Sequence, residues 1–134
     1  RFGDDSVWDL AQFESYLESK AMPHALSEAV LPGIDRIMEA CIRAVLPSLA
    51  PKRGCFQLLG FDILLDQHGS PSLLEVNRNP DLQPHTRKLH SLLGKLLDDT
   101  LGVVTEVNLR LARGETSLWP LAVRSGYKML ISEP

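Results

Sequence analysis

The chain has 134 residues, the length of one ordinary domain, of which 44% are apolar and 23% are charged. This composition supports one hydrophobic core and excludes a disordered tail or a multidomain machine. The 14 basic and 17 acidic residues leave a formal net charge of -3, which lacks the basic excess of proteins that bind nucleic acids or anionic membranes. The apolar runs are also shorter than the roughly 18 residues of a membrane span. We therefore expect neither a nucleic-acid partner nor a membrane partner.

The start of the chain and its cysteines bear on its context. The sequence begins at Arg1 without the basic leader and apolar stretch of a signal peptide, and we interpret it as part of a longer protein. Cys41 and Cys55 lie in apolar runs and have no zinc-like spacing to other cysteines or histidines. This pattern predicts reduced, buried thiols in a cytosolic protein.

Helical patterns fill the first third of the chain. Ser6 and Asp9 have the spacing of a capping box, and apolar residues then recur at helical intervals to about Ser19. A short helical piece is predicted from about His24, and a proline–glycine pair separates it from a stronger helix over residues 34–46.

A hairpin is predicted next. Residues 55–66 are apolar on both faces, which is typical of a strand buried on both sides. A second apolar run over residues 71–77 follows the polar turn at 67–70, so the two strands are expected to pair antiparallel with Asp66 opposite Pro71.

The last third of the chain begins with a leucine-rich helical pattern. It starts after Pro84 and continues to about Val104, and the tail from Thr105 onward is weakly patterned. Residues 127–131 are predicted to form a last strand or an extended segment packed on the core. Together these elements predict an α+β fold.

Two carboxylates lie where a hydrophobic hairpin should have none. In the register set by the turn, Asp62 faces Glu75 and Gly60 faces Asn77, so Asp62, Glu75 and Asn77 share one face of the sheet. Directly opposed side chains have Cβ atoms about 4.5–5.5 Å apart, where like charges destabilise the pair. Carboxylate and amide oxygens suit Mg²⁺, which often completes its coordination with phosphate oxygens. The pattern therefore favours a metal-bound nucleotide at the hairpin.

Other interpretations of the carboxylate pair stay open. The two groups can share one proton, or Glu75 can form an ion pair with Arg78. Two carboxylates about 5 Å apart also occur in retaining glycosidases. The aromatic content of 6% is low for a sugar-binding cleft, however, so that chemistry is disfavoured.

The stretch from Cys55 to Leu82, which reads CFQLLGFDILLDQHGSPSLLEVNRNPDL, resembles the signature of the tubulin–tyrosine ligase-like family, a branch of the ATP-grasp ligases. In that family a strand carrying GFD precedes a hairpin that ends in LLEVN, and a turn containing proline follows. The resemblance implies that residues 1–134 are the C-terminal part of an ATP-grasp domain, with helices packed on an antiparallel sheet. It also implies that the N-terminal and central parts of the domain lie outside these residues, so that the chain alone is inactive.

The resemblance further implies an ATP-dependent carboxylate–amine ligase acting on tubulin. A carboxylate of the tubulin tail would become an acyl-phosphate, and the amine of an amino acid would then displace phosphate. Asp62, Glu75 and Asn77 match the family's ligands for Mg²⁺ and for the phosphates of ATP, and no catalytic residue is assigned. Arg78 and Lys88 match positions implied to bind substrate. The adjacent asparagine and arginine resemble the glutamate-adding members, which favours tubulin polyglutamylation with free glutamate as co-substrate.

Departures from the family pattern leave alternatives open. Asp81 adds negative charge beside the implied ATP site, so a non-catalytic relative that binds nucleotide or tubulin is one alternative. A tyrosine or glycine ligase of the same family is another, and a small-molecule ATP-grasp ligase is disfavoured by the GFDILLD opening. We expect a monomer that works on microtubules in the cytoplasm and cytoskeleton, with the cilium and basal body as candidate sites.

Overall fold

The computed structural model describes residues 7–22, 24–49, 52, 54–123 and 125–132. These residues form two compact units. The first comprises the described residues within Arg1–Leu49, Leu58–Asp81 and Leu130–Pro134, and the second those within Ala50–Gln57 and Leu82–Met129. The described part of the chain contains helices and a two-stranded antiparallel sheet, so the prediction of an α+β fold is confirmed.

The first unit opens with helix α1, which spans Leu10–Ser19. Its N-cap is Asp9, whose side chain accepts the N–H of Gln12 at 2.8 Å while the Gln12 side chain accepts the N–H of Asp9 at 3.2 Å. This reciprocal pair satisfies two N–H groups that a helix start leaves without partners. The predicted capping box began at Ser6, which lies outside the described residues.

Helix α2 spans Leu31–Val45 and is continuous with a preceding π-helical turn, Leu26–Val30. A 3-10 turn, Leu46–Ser48, follows it. The predicted break at Pro32 is wrong, because the helical turn at Leu26–Val30 runs directly into α2 and this proline lies in its first turn.

The hairpin consists of β1, Gly60–Leu65, and β2, Pro71–Asn77. Gly60 pairs with Asn77 and Asp62 pairs with Glu75, which confirms the predicted register at the carboxylates. At the turn the prediction is wrong, because Leu65 rather than Asp66 pairs with Pro71. An irregularity between Asp62 and Ile63 accounts for the one-residue shift.

The first strand is shorter and more exposed than predicted. It begins at Gly60 rather than near Cys55, and Leu64 on β1 and Leu74 on β2 are 57% and 63% exposed. The expectation of a strand buried on both faces is therefore wrong for the described residues. The core of this unit lies instead between α1 and the turn before α2, at Leu17, Leu26 and Val30. Leu65, next to the hairpin turn, packs against it.

The second unit is built on helix α3, which spans Arg87–Ala112 and is capped by the Thr86 side chain. The helix continues well past Val104, so the tail predicted from Thr105 is helical to Ala112. Residues 127–131 form no strand and are irregular in conformation. None of the helices in the described ranges combines the length and apolar character needed to cross a membrane.

The prediction of buried thiols is wrong for both cysteines. Cys41 on α2 is half-buried and Cys55, before the hairpin, is exposed. Both are free thiols. The prediction inferred burial from the apolar residues that flank each cysteine in the sequence. It was wrong because these apolar runs are themselves only partly buried.

Candidate metal-binding site

The hairpin brings three of the predicted site residues together. Asp62 and Glu75 are direct partners across the sheet. The Asn77 side-chain nitrogen donates to Glu75 Oε1 at 3.0 Å and lies 3.5 Å from Asp62 Oδ2. The two carboxylates and the amide therefore form one cluster on one face of the sheet.

A β-bulge creates this cluster. Near the turn Leu65 pairs with Pro71, and an unbroken ladder from there would place Leu74 opposite Asp62. The irregularity after Asp62 leaves one extra residue on β2, so that Glu75 takes that place. Bulges often occur beside functional sites, where they redirect a side chain. Here the bulge sets two like charges face to face.

The cluster has the chemistry of a site for a hard divalent cation. The Asn77 amide nitrogen supplies the partial positive charge between the carboxylates, and rotation of the amide would present its oxygen to a cation. Asp62 and Glu75 are exposed and Asn77 is half-buried, so water or phosphate oxygens have access. The described residues hold no group of three or more histidine, cysteine or acidic side chains suited to a metal. Two carboxylates with open positions fit Mg²⁺, which is commonly shared with substrate phosphates.

Gly60 allows a close approach at the open end of the hairpin. A Cβ atom at this position would lie 3.1 Å from the Pro80 Cβ and 3.6 Å from the Asn77 Cβ. The chain after β2 thus brings Pro80 close to Gly60.

Asp66 holds the turn at the other end of the hairpin. Its Oδ1 atom accepts the backbone N–H groups of Ser70 and His68, each at 2.8 Å. The hydrogen bonds from Ser70 and then His68 lower the pKa of Asp66 below its usual value. The sequence prediction treated Asp66 as a strand residue and missed this role. An aspartate followed by turn-forming residues is the signal that could have found it.

The two predicted substrate-binding residues lie in different units. Arg78 directly follows Asn77 at the end of β2 and is exposed, whereas Lys88 lies in the first turn of α3 and is half-buried. Their roles stay predictions.

Comparison with known proteins identifies the family. A sequence model described as the tubulin-tyrosine ligase family matches residues 3–112. The chain belongs to the tubulin-tyrosine ligase family. The match includes most of the first unit and, in the second, all of α3, and the resemblance first seen in the residues around the hairpin is thereby confirmed.

The relatives that match this chain include proteins named as tubulin polyglutamylases and proteins named as tubulin glycylases. The chain is 39% identical over 97 residues, or 72% of its length, to a protein of Rattus norvegicus named probable tubulin polyglutamylase TTLL9. It is 29% identical over 129 residues, or 96% of its length, to tubulin glycylase 3B of Drosophila melanogaster. The alignments cover 21% and 17% of those two proteins. The chain thus spans about a fifth of the length of such relatives.

Proposed function

We propose that this chain forms part of an ATP-dependent ligase that adds glutamate to carboxylates of tubulin tails. One observation carries the proposal: the bulged hairpin sets Asp62 opposite Glu75 with Asn77 bonded between them. The family membership supports a ligase that modifies tubulin. We further propose that the chain is the C-terminal part of an ATP-grasp domain, acting as a monomer on microtubules in the cytoplasm.

In this proposal Asp62, Glu75 and Asn77 hold Mg²⁺ together with the phosphates of ATP. The cation, when bound, neutralises charge on the β- and γ-phosphates during transfer. Asp62 and Glu75 fix its position because they approach from opposite strands of a hydrogen-bonded ladder. The Asn77 side-chain nitrogen donates to Glu75, and rotation of this amide would turn its oxygen toward the cation.

The proposed reaction has two displacements. An oxygen of the tubulin carboxylate attacks the γ-phosphorus of ATP, ADP leaves, and the product is an acyl-phosphate. The amine of free glutamate then attacks the acyl carbon, loses a proton and expels phosphate, so an amide bond forms. We assign Arg78 and Lys88 to substrate binding, where their cations suit the carboxylates of glutamate or of an acidic tail.

Two observations bear on which amino acid is transferred. The higher identity, 39%, is to a probable tubulin polyglutamylase, and this favours glutamate. Glycine ligation is the second candidate, because the similarity to a tubulin glycylase extends over 96% of the chain.

The test uses the full-length gene product that contains this sequence. Asp62→Ala and Glu75→Gln should each abolish incorporation of labelled glutamate into tubulin, while co-sedimentation with microtubules persists. Glu18→Gln, which alters an exposed carboxylate on α1, is the control and should retain activity. Labelled glycine in place of glutamate tests the second candidate. Microtubule binding without incorporation of either amino acid by the unaltered protein would contradict the ligase proposal and favour a non-catalytic relative.

A further inference from the structure

The segment after α3 runs back along the helix and is held there by two carboxylates. Glu106 accepts the backbone N–H groups of Ala122 and Val123, each at 2.7 Å. Asp99 accepts the N–H of Gly126 at 2.8 Å. Later residues of the segment meet earlier residues of the helix, so the two run antiparallel. We name residues 122, 123 and 125–127 the strap.

The two carboxylates lie on one face of the helix. Asp99 and Glu106 are separated by nearly two helical turns, about 10 Å along the axis of α3. Each carboxylate accepts main-chain N–H groups of the strap, Glu106 near its start and Asp99 near its end.

Side chains of the strap also pack on this face of α3, where Gly102 leaves space for Val123. A Cβ atom at Gly102 would lie 2.9 Å from Val123 Cγ2, so glycine makes room for the valine. At the far end the Tyr127 hydroxyl lies 2.7 Å from Thr100 Oγ1. Main-chain hydrogen bonds, a shape match and a side-chain hydrogen bond thus act at successive points along the strap.

Hydrogen bonds from the strap and from neighbouring cations lower the pKa of both carboxylates. Lys95 Nζ lies 2.7 Å from Asp99 Oδ2, and its hydrogen bond, followed by that of Gly126, lowers the pKa of Asp99. The N–H groups of Ala122 and Val123, and then Arg110, lower the pKa of Glu106. Arg110 Nη2 lies 2.6 Å from Glu106 Oε1, and Arg110 Nε lies 3.9 Å from Glu115 Oε2. Among the described residues, Lys95 contacts Asp99 and Arg110 contacts Glu106, while Glu115 lies beside Arg110 and the Tyr127 hydroxyl lies against Thr100.

We propose that the strap is a conformational switch of the second unit, closed while Asp99 and Glu106 are ionised and able to open without unfolding of α3. Both carboxylates bind the strap through its main chain, so loss of either charge weakens the whole contact. Opening uncovers the helix face around Gly102. Because ionisation favours closure, the closed state is favoured at neutral pH and is lost as the pH falls through the lowered pKa values of the two carboxylates.

Amide hydrogen exchange of the full chain, followed by NMR and corrected for intrinsic rates, tests the switch. Glu106→Gln should lower the protection of Ala122 and Val123 by about tenfold or more, because a charge-assisted acceptor is lost. Gly126, held by the other carboxylate, should lose protection with them, while amides within α3 keep theirs. Asp98→Asn, an exposed neighbour on the same helix, is the control and should change nothing.

A second arm uses the unaltered chain and does not depend on the folding of a variant. Between neutral pH and about pH 3, the strap amides should lose protection before the amides of α3 do. Loss of protection in the strap and in α3 at the same pH would overturn the proposal. Unchanged protection of Ala122 and Gly126 in Glu106→Gln would overturn it as well.

Discussion

Asp62 on β1 faces Glu75 on β2 because a bulge displaces Leu74, which a regular ladder would place there. A leucine opposite Asp62 would introduce no charge repulsion into the hairpin. The bulge instead aligns two carboxylates, an arrangement that is unfavourable until a cation or donor lies between them. The Asn77 amide nitrogen partly offsets this repulsion, and the proposed cation would offset it further.

Gly33 on α2 should not tolerate a side chain. A Cβ atom there would lie 2.5 Å from Pro71 Cγ and 3.0 Å from Pro71 Cδ, and the proline ring is too stiff to move aside easily. Gly33→Ala should therefore destabilise the first unit, since overpacking costs about 1–3 kcal/mol against a helix-propensity gain of about 1 kcal/mol. Urea unfolding followed by the NMR signals of α2 measures the change.

Gly94→Ala is the matched control for that substitution. Gly94 lies inside α3 and a Cβ atom there meets nothing within 4 Å, so alanine should stabilise the helix by up to about 1 kcal/mol. If Gly33→Ala also increased stability, the predicted clash between its new Cβ atom and Pro71 would be wrong.

The small core of the first unit should depend strongly on Leu17. This side chain is 5% exposed and packs with Leu26 and Val30, whereas Leu10 on the same helix is 61% exposed. Leu17→Ala should cost about 2–5 kcal/mol because it leaves a cavity, and Leu10→Ala should change stability by no more than about 0.5 kcal/mol. Urea unfolding of the first unit distinguishes them, and equal effects would contradict the assignment of the core.

Acid should loosen the hairpin turn through Asp66. The Ser70 and His68 N–H groups lower its pKa, so ionised Asp66 stabilises the folded state at and above its ordinary pKa of about 4. That contribution is lost as the pH falls through the lowered value. Titration of the side-chain carboxyl carbon by NMR should show a pKa below about 4. In Asp66→Asn the protection of the Ser70 amide should fall and lose its acid dependence; an ordinary pKa for Asp66 would contradict this role.

Local sequence patterns predicted most of the elements, and they placed the two carboxylates opposite each other. The helical period predicted α1 and most of α2, and alternation across the hairpin predicted that Asp62 and Glu75 face each other. That register was reached by two compensating errors, since the loop is one residue longer than expected and the bulge restores the pairing. A bulge depends on cross-strand packing, which the pattern of one strand does not encode.

The end of α3 was missed for a different physical reason. From Thr105 to Ala112 polar and apolar residues nearly alternate, so the helical period is hard to recognise. In this stretch Glu106 and Arg110, one turn apart, form an ion pair at 2.6 Å, and Glu106 also accepts the N–H of Ala122. The contact with Ala122 joins residues distant in sequence, which a short pattern cannot reveal.

We propose that Asp62, Glu75 and Asn77 hold a divalent cation. Paramagnetic NMR of the full chain, with Mn²⁺ in place of Mg²⁺, tests whether they do. Substoichiometric Mn²⁺ should selectively broaden the signals of these three residues, and excess Mg²⁺ should restore them. The broadening should disappear in Glu75→Gln and persist in Glu18→Gln. Equal broadening at exposed carboxylates throughout the chain, or unchanged broadening in Glu75→Gln, would contradict the assignment of this site.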